Sequence, residues 1–266
     1  MTTPQISVQL YSVYPQLEAD LDGTLAKLAG MGFKNVEAFD FVRRVDALKT
    51  SFETHGLVSR TAHAILVEQG IATPDGLLTT PPADEVFAAA KELGVAVVID
   101  PYVPPARWAT REGVERSARI LNEMAVKAAE YGLRVGYHNH DHEFTSVIDG
   151  QTAYDVFVDL LDPAVLLEVD LYWATAGGQN PAELLARLGD RVVAVHTKDG
   201  PMRPGITAQQ LPDDQCSAGK GDVPLAAALA AGTAIEFAVV EFDKYAGDIF
   251  EGIEGSFTYL RTILSA

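Results

Sequence analysis

Short apolar runs rich in β-branched residues alternate with amphipathic, helix-like segments along the chain. Eight such runs predict strands over Ile6 to Tyr11, Asn35 to Phe39, Leu57 to His63, Val95 to Pro101, Arg134 to His140, Val165 to Leu171, Val192 to Thr197 and Phe237 to Phe242. The segments between them carry apolar residues at helical spacing, as in Glu112 to Gly132. Strands that alternate with helices indicate parallel βαβ units.

Two folds are built from such units, a (β/α)8 barrel and an open doubly wound sheet. The open sheet usually carries a glycine-rich phosphate turn after its first strand. The segment from Gln9 to Tyr14 contains no glycine, which favours the α/β (β/α)8 TIM barrel. Glycines at 32, 94, 132 and 189 follow predicted helices and are typical of left-handed C-caps. Because such barrels commonly have about 250 residues, we expect residues 1–266 to form a single domain.

Charge and composition limit the classes of partner and the cellular location that we expect. The formal net charge of −17 disfavours nucleic acid and anionic membranes, and no basic cluster offsets it. Cys216 is the single cysteine, and no apolar stretch approaches the roughly 20 residues of a membrane span. The first residues lack the basic-then-apolar pattern of a secretion signal. We therefore expect a cytoplasmic protein, with a homo-oligomer as one option.

Ionisable side chains gather at the predicted C-terminal ends of the strands, where a barrel places its active site. Five of the six histidines have this placement: His63, His138, His140, His142 and His196. The carboxylates there belong to Glu37, Glu143, Asp170, Asp199 and Glu241. Charged groups within apolar runs are costly to bury unless they are paired or bind a metal. Their convergence on one rim predicts a functional site.

Strands six, seven and eight each deliver one potential metal ligand, namely Asp170, His196 and Glu241. Glu143, beyond strand five, completes a set of oxygen and nitrogen ligands that suits divalent ions. We predict one such ion, with Mn²⁺ favoured and Mg²⁺, Co²⁺ and Zn²⁺ as alternatives.

Each ligand also has a purely structural interpretation. Asp170 would cap the helix that follows it, and His196 would be a hydrogen-bonded core histidine. Glu241 would pair with Lys198 across neighbouring strands, and Lys198 would pair with Asp199. None of these interpretations requires all the residues to meet on one rim, which is why we favour the metal site.

Several segments resemble the sugar phosphate isomerase/epimerase superfamily, the xylose-isomerase-like barrels. They are Val8 to Val13, Tyr137 to Phe144, Asp170 to Ala174, His196 to Asp199, Gly219 to Asp222 and Val240 to Asp243. The resemblance covers nearly the whole chain and implies that Glu143, Asp170, His196 and Glu241 hold the metal. Similar ketose 3-epimerases have a histidine three residues after the strand-six aspartate, where this chain has Trp173.

The function we expect is isomerisation or epimerisation of a sugar by proton transfer through a metal-stabilised enediolate. Glu143 or Glu241 is the expected base, His138 the other proton carrier and Lys198 the group that stabilises a substrate oxygen. The expected substrate contacts are Glu37, His63, His140 and Trp173, although His63 fits a packing role equally well.

Two other functions stay open. A lyase or dehydratase acting on a 3-keto-glycoside or keto-inositol would use the same proton removal, whereas a non-catalytic barrel subunit would need none of it. Lys220, within Gly219 to Gly221, is the only cation close to the usual phosphate-binding loops, which favours a neutral carbohydrate. The stretch from Leu66 to Pro82 reads as a loop that covers the site or contacts another subunit.

Overall fold

Eight parallel strands form the central sheet of the computed structural model, which describes residues 3–73 and 76–265. They are β1 (Gln5–Val8), β2 (Asn35–Phe39), β3 (Val58–His63), β4 (Val97–Asp100), β5 (Arg134–His138), β6 (Leu166–Asp170), β7 (Val192–His196) and β8 (Phe237–Val240). Strand β1 pairs with β8, and an isolated parallel bridge between Gln9 and Glu37 joins β1 to β2. The eight predicted strands and the (β/α)8 barrel are thereby confirmed.

Helices separate the strands. Their bounds are Tyr14–Ala19, Leu21–Met31, Val45–His55, Ala83–Glu92, Pro105–Trp108, Arg111–Glu130, His142–Thr145, Ala153–Leu160, Leu171–Ala176, Pro181–Leu188, Leu225–Ala231 and Ile249–Leu264. Short 3-10 turns cover Leu10–Val13, Val42–Arg44 and Gly189–Arg191. In the part of the chain that is described, no helix is both long enough and apolar enough to cross a membrane.

Glycines and capping side chains set the ends of these helices. The predicted turn glycines at 32, 94, 132 and 189 all have positive φ, from 60° at Gly189 to 107° at Gly32, where a side chain would be strained. Asp20, Thr110 and Asn180 each accept a hydrogen bond from the first turn of the helix that follows. These local signals direct each helix back to the start of the next strand.

The stretch from Leu66 to Pro82, predicted as a loop, is partly regular. Gly70–Thr73 and Gly76–Thr79 pair as an antiparallel hairpin, and residues 74 and 75 lie outside the described residues. A second small hairpin joins Val147–Ile148 to Gln151–Thr152.

The interior of the barrel changes from apolar to ionisable toward the C-terminal ends of its strands. Val97, Ile99, Leu166 and Val193 pack together as a buried apolar floor. Because side chains alternate along a strand, Leu166, Glu168 and Asp170 share one face of β6. The two acids therefore lie above the floor, toward the C-terminal mouth of the barrel. We call this ionisable part of the interior, which contains Glu168 and Asp170, the pit.

Candidate metal centre

Four ionisable side chains meet at the C-terminal ends of four neighbouring strands. His138, Asp170 and His196 are the last residues of β5, β6 and β7, and Glu241 directly follows β8. Each offers one ligand atom, and these four atoms lie within 4.8 Å of one another. All four side chains are buried. We call this group the upper cluster.

The donor set of the upper cluster fits a divalent metal ion. One carboxylate oxygen of Asp170, Oδ1, accepts a hydrogen bond from the backbone amide of Trp173 at 2.9 Å. The other, Oδ2, lies 3.7 Å from His138 Nε2 and forms an ion pair with Lys198 Nζ at 2.9 Å. Lys198 is shared with the carboxylates of Glu241 and Asp243, so one ammonium group faces three acids. Excess buried negative charge is costly, and a divalent cation would balance it. Two imidazoles and two carboxylates are a common ligand set for Zn²⁺, Mn²⁺ or Co²⁺.

Lys198 supplies positive charge at the side of the upper cluster. Its Nζ lies 2.9 Å from Asp170 Oδ2, 2.9 Å from Glu241 Oε2 and 2.7 Å from Asp243 Oδ2. The expected pairing with Glu241 is present, whereas Asp199 is not among these partners. Lys198 is fully buried, so its charge acts on the three carboxylates without screening by bulk water.

A second layer of ionisable groups lies directly beneath, and we call it the lower layer. Glu168 Oε2 lies 2.6 Å from His63 Nε2, 3.0 Å from His138 Nδ1 and 3.1 Å from His196 Nε2. Glu37 Oε1 lies 2.8 Å from His196 Nε2 and 3.1 Å from His63 Nε2, and it accepts a hydrogen bond from Gln9 at 2.7 Å. Glu37 and His63, which we expect to contact substrate, form an ion pair with each other in this layer.

The crowding of charges shifts the pKa values in the pit. Burial raises the pKa of Asp170 to about 6, although Lys198 opposes this shift. Burial acts in the same direction on Glu241, but Lys198 and His196 hold the pKa of that carboxyl well below its usual range. Burial lowers the pKa of His138 well below the ordinary value. For His63, burial is outweighed by the carboxylates of Glu37 and Glu168, which raise its pKa to about 10.

Glu143 lies apart from the upper cluster. Its Oε1 accepts a hydrogen bond from Tyr137 Oη at 2.7 Å, and its Oε2 accepts one from the amide of His140 at 3.0 Å. The residue belongs to neither group of potential metal donors in the described chain. The strand-five position in the upper cluster is occupied by His138.

An aromatic wall rises beside the upper cluster at the mouth. It consists of Tyr102, His140, His142 and Trp173, with the His140 ring stacked on His142 and 6.2 Å from the ring of Trp173. His140 Nδ1 and Trp173 Nε1 are buried without a hydrogen-bond partner among the described residues. Lys198 Nζ lies 5.3 Å from the centre of the Trp173 ring. Flat apolar faces with free polar atoms suit a sugar ring and its hydroxyls.

Asp199 accepts hydrogen bonds from the backbone of the loop that follows β7. Its two carboxylate oxygens accept hydrogen bonds from the amides of Gly200, Gly219, Gly221 and Val223, at 2.8 to 3.1 Å. The amides of Gly219 and Gly221, candidates for a phosphate site, are thus already bonded. A side chain at Gly221 would meet Asp199 Oδ1 at 2.2 Å, so the loop closes too tightly for one.

Sequence reasoning missed Glu168, Asp243 and Gln9. Glu168 lies two residues before Asp170 on the same strand, so strict alternation along β6 would have placed it on the same inward face. Asn139 orients Asp170: its side-chain oxygen accepts from the backbone N–H of Asp170 at 3.1 Å, and its side-chain nitrogen donates to the C=O of Asp170 at 3.3 Å. It thereby fixes β5 against β6 at the height of the cluster.

Known proteins share this architecture. A sugar phosphate isomerase/epimerase from Parabacteroides distasonis ATCC 8503 superposes with a TM-score of 0.76 at 22% identity, covering 96% of this chain and 97% of that chain. The IolI protein, solved with a bound zinc atom, gives a TM-score of 0.69 at 19% identity, with 98% of each chain covered. At these identities the similarity establishes the fold alone.

A local match comes from an enzyme of known activity. Over 89 residues the chain is 34% identical to the inosose dehydratase of Geobacillus kaustophilus (strain HTA426). The aligned segment is 33% of this chain and spans 26% of that enzyme. The model of the family described as "Xylose isomerase-like TIM barrel" matches residues 25–243. This chain therefore belongs to the xylose isomerase-like TIM barrel family.

Proposed function

We propose that this protein is a divalent-metal-dependent sugar isomerase or epimerase that moves a proton on a carbon next to a carbonyl group. The observation that carries the proposal is the upper cluster, in which two imidazoles and two carboxylates each bring a donor atom to within 4.8 Å of the others. Lys198 and the aromatic wall lie directly beside it. The family contains isomerases, epimerases and dehydratases, which supports chemistry of this kind.

The proposed ligands are His138, Asp170, His196 and Glu241, with His138 in the place that the sequence assigned to Glu143. A bound divalent ion would supply a Lewis acid that stabilises negative charge on a substrate oxygen. Two imidazole ligands favour Zn²⁺, Mn²⁺ or Co²⁺ over Mg²⁺, which prefers oxygen. The zinc atom in IolI agrees with this ligand preference.

His140 is the proposed proton carrier. Its Nδ1 has no hydrogen-bond partner among the described residues and is free to accept a proton, and burial lowers the pKa of the ring well below the ordinary value, which keeps the imidazole neutral. Both oxygens of Glu143 and the Nδ1 of His138 are already hydrogen-bonded, which disfavours the roles first expected for those residues. A positioned base of this kind contributes about 10²–10⁴ in rate.

Lys198 is proposed to stabilise the substrate oxygen on which charge develops. Its ammonium group is fixed by three carboxylates and needs no reorganisation when that charge appears. The wall formed by His140 and Trp173 is proposed to hold the sugar ring over the cluster. A neutral carbohydrate fits this mouth, because the amides of the Gly219 to Gly221 turn are bonded to Asp199.

The test is proton exchange in D₂O. The Mn²⁺-loaded protein is incubated with unphosphorylated ketoses and aldoses. The products are separated by chromatography, and their masses are measured by mass spectrometry. We expect an isomer of the substrate that carries deuterium at the carbon next to the carbonyl, and none from His140→Ala. The absence of both isomer and deuterium across the panel would contradict the proposal.

A dehydratase is the second candidate, favoured by the local identity to inosose dehydratase. Removal of the same proton would be followed by departure of a neighbouring hydroxyl group as water instead of return of the proton to carbon. Adding a keto-inositol to the panel separates the two functions, because a dehydratase product is lighter than its substrate by one water.

A further inference from the structure

We propose that Glu168 and Glu37 are positioning residues that hold the two metal-binding histidines in opposite tautomers, so that His138 presents Nε2 to the ion and His196 presents Nδ1. The inference rests on the proposed metal site. In this proposal the residues of the lower layer orient the metal ligands and do not contact the substrate.

The two nitrogens of His138 face different layers. Nδ1 lies 3.0 Å from Glu168 Oε2, and since an ionised carboxylate only accepts hydrogen bonds, the proton must be on this nitrogen. Nε2 is then an unprotonated donor atom, and it is the nitrogen that faces Asp170 Oδ2. Metal-binding histidines commonly donate their other N–H to a carboxylate in this way.

His196 is turned the other way. Its Nε2 lies 2.8 Å from Glu37 Oε1, whereas its Nδ1 faces Glu241 in the upper cluster at 2.6 Å. Both nitrogens face a carboxylate, so in the metal-free ring both carry a proton. A bound ion would replace the proton that Nδ1 shares with Glu241, whereas Nε2 would keep its proton for Glu37. The opposite ring orientations follow from the positions of the two carboxylates beneath the rings.

The lower layer is itself fixed from several sides. His63 Nε2 lies between Glu168 and Glu37 and connects the two carboxylates. The ring of His63 stacks on that of His196 with a centroid distance of 5.3 Å and an interplanar angle of 6°. Gln9 donates to Glu37 at the place where β1 meets β2. The orientation of the ligands is therefore tied to closure of the barrel.

A second metal ion is the alternative occupant of the lower layer, since His63, His138, Glu168 and His196 also bring donor atoms within 4.8 Å of one another. However, Glu168 Oε2 lies within 3.1 Å of a nitrogen from each of the three histidines. The oxygen thus occupies the centre at which an ion would have to bind. Hydrogen bonds from His63 and His138, together with the ionic contact to His196, account for the layer without an ion.

The first test uses the unaltered protein. Loaded with Zn²⁺, it is examined by long-range ¹H–¹⁵N NMR correlation of the histidine side chains, with His138→Gln and His196→Gln used for assignment. We expect His138 to be protonated at Nδ1 and His196 at Nε2, with one zinc per chain. The same tautomer at both rings, or a second zinc at the lower layer, overturns the proposal.

The second test compares Glu168→Gln and Glu37→Gln with the control Glu236→Gln, which removes an exposed carboxylate 3.9 Å from Arg134. The dissociation constant for Zn²⁺ is measured by competition with a chelator. We expect each lower-layer variant to bind zinc about 10- to 100-fold more weakly, as is typical for loss of a partner behind a metal ligand. The control should match the unaltered protein, and lower-layer variants that also match it overturn the proposal.

The two proposals fail separately. A protein that binds one zinc with these tautomers but converts no carbohydrate contradicts the proposed function and leaves the positioning role intact. A protein that binds neither Zn²⁺, Mn²⁺ nor Co²⁺ overturns both. If Glu168→Gln does not fold, Glu37→Gln and the NMR measurement still decide the question.

Discussion

Asp170 and Asp199 are both buried acids at the mouth of the barrel, and in the sequence both lie at the C-terminal end of a predicted strand. The four amide bonds to Asp199 satisfy both of its oxygens. Asp170 accepts one amide bond and keeps one oxygen for the pit. The difference comes from the chain that follows: glycine amides fold back onto Asp199, whereas a helix begins directly after Asp170. An acid at a strand end indicates function only when the backbone leaves part of it unbonded.

The largest effect is expected from Asp170→Ala, which removes the carboxylate oxygen that faces the upper cluster. A metal ion acting as Lewis acid contributes several kcal/mol to catalysis, and we expect turnover to fall by about 1,000-fold or more. The cost in stability should be small, about 1 kcal/mol for the lost helix cap. Metal analysis, an activity assay and urea unfolding measure these three quantities. A variant that keeps its metal would mean that the pit oxygen is not a ligand.

Asp199→Ala should have the opposite effect: a large loss of stability with little change in metal binding. Four amide N–H groups lose their acceptor, and we expect the free energy of unfolding to fall by about 3 kcal/mol or more. The folded fraction should still bind metal. Urea unfolding combined with metal titration measures both, with Asp199→Asn as the milder control, because its amide oxygen still accepts part of the bonds. Loss of metal from a fully folded Asp199→Asn would remove the distinction between the two acids.

A smaller effect is expected from pH. Ligands must lose their protons to bind a metal, and burial raises the pKa of Asp170 to about 6. Protons therefore compete with the ion as the pH falls through that value, and apparent affinity should weaken by about tenfold between pH 7 and pH 5 for this one group. Calorimetric titration in buffers of different protonation enthalpy detects the proton released on binding. Asp199→Asn should keep the same profile, and an affinity independent of pH in this range would contradict the assignment.

Much of the barrel could be predicted because periodicity and glycine caps act locally. The convergence of Asp170, His196 and Glu241 followed from the rule that strand ends meet at one rim. The structural interpretations of these residues are compatible with that convergence. Asp170 caps a helix with Oδ1 while its Oδ2 faces the upper cluster, and Glu241 pairs with Lys198 beside the cluster.

The choice of the proposed strand-five ligand depended on a strand boundary that the sequence pattern alone does not set. The strand was predicted to reach His140 but ends at His138, and a short helix, His142–Thr145, begins soon afterwards. This difference of two residues leaves His138 at the rim and places Glu143 against Tyr137. The lower layer was equally hidden, since the contact between His63 and Glu168 joins β3 to β6, which are distant in sequence.

Metal content of the purified protein and two variants would decide the ligand set. Elemental analysis after loading and desalting should find one divalent ion per chain in the unaltered protein and in Glu143→Gln. His138→Ala should contain none, although circular dichroism shows it folded. One ion in His138→Ala together with none in Glu143→Gln would contradict the proposed cluster and restore Glu143 as the ligand from strand five.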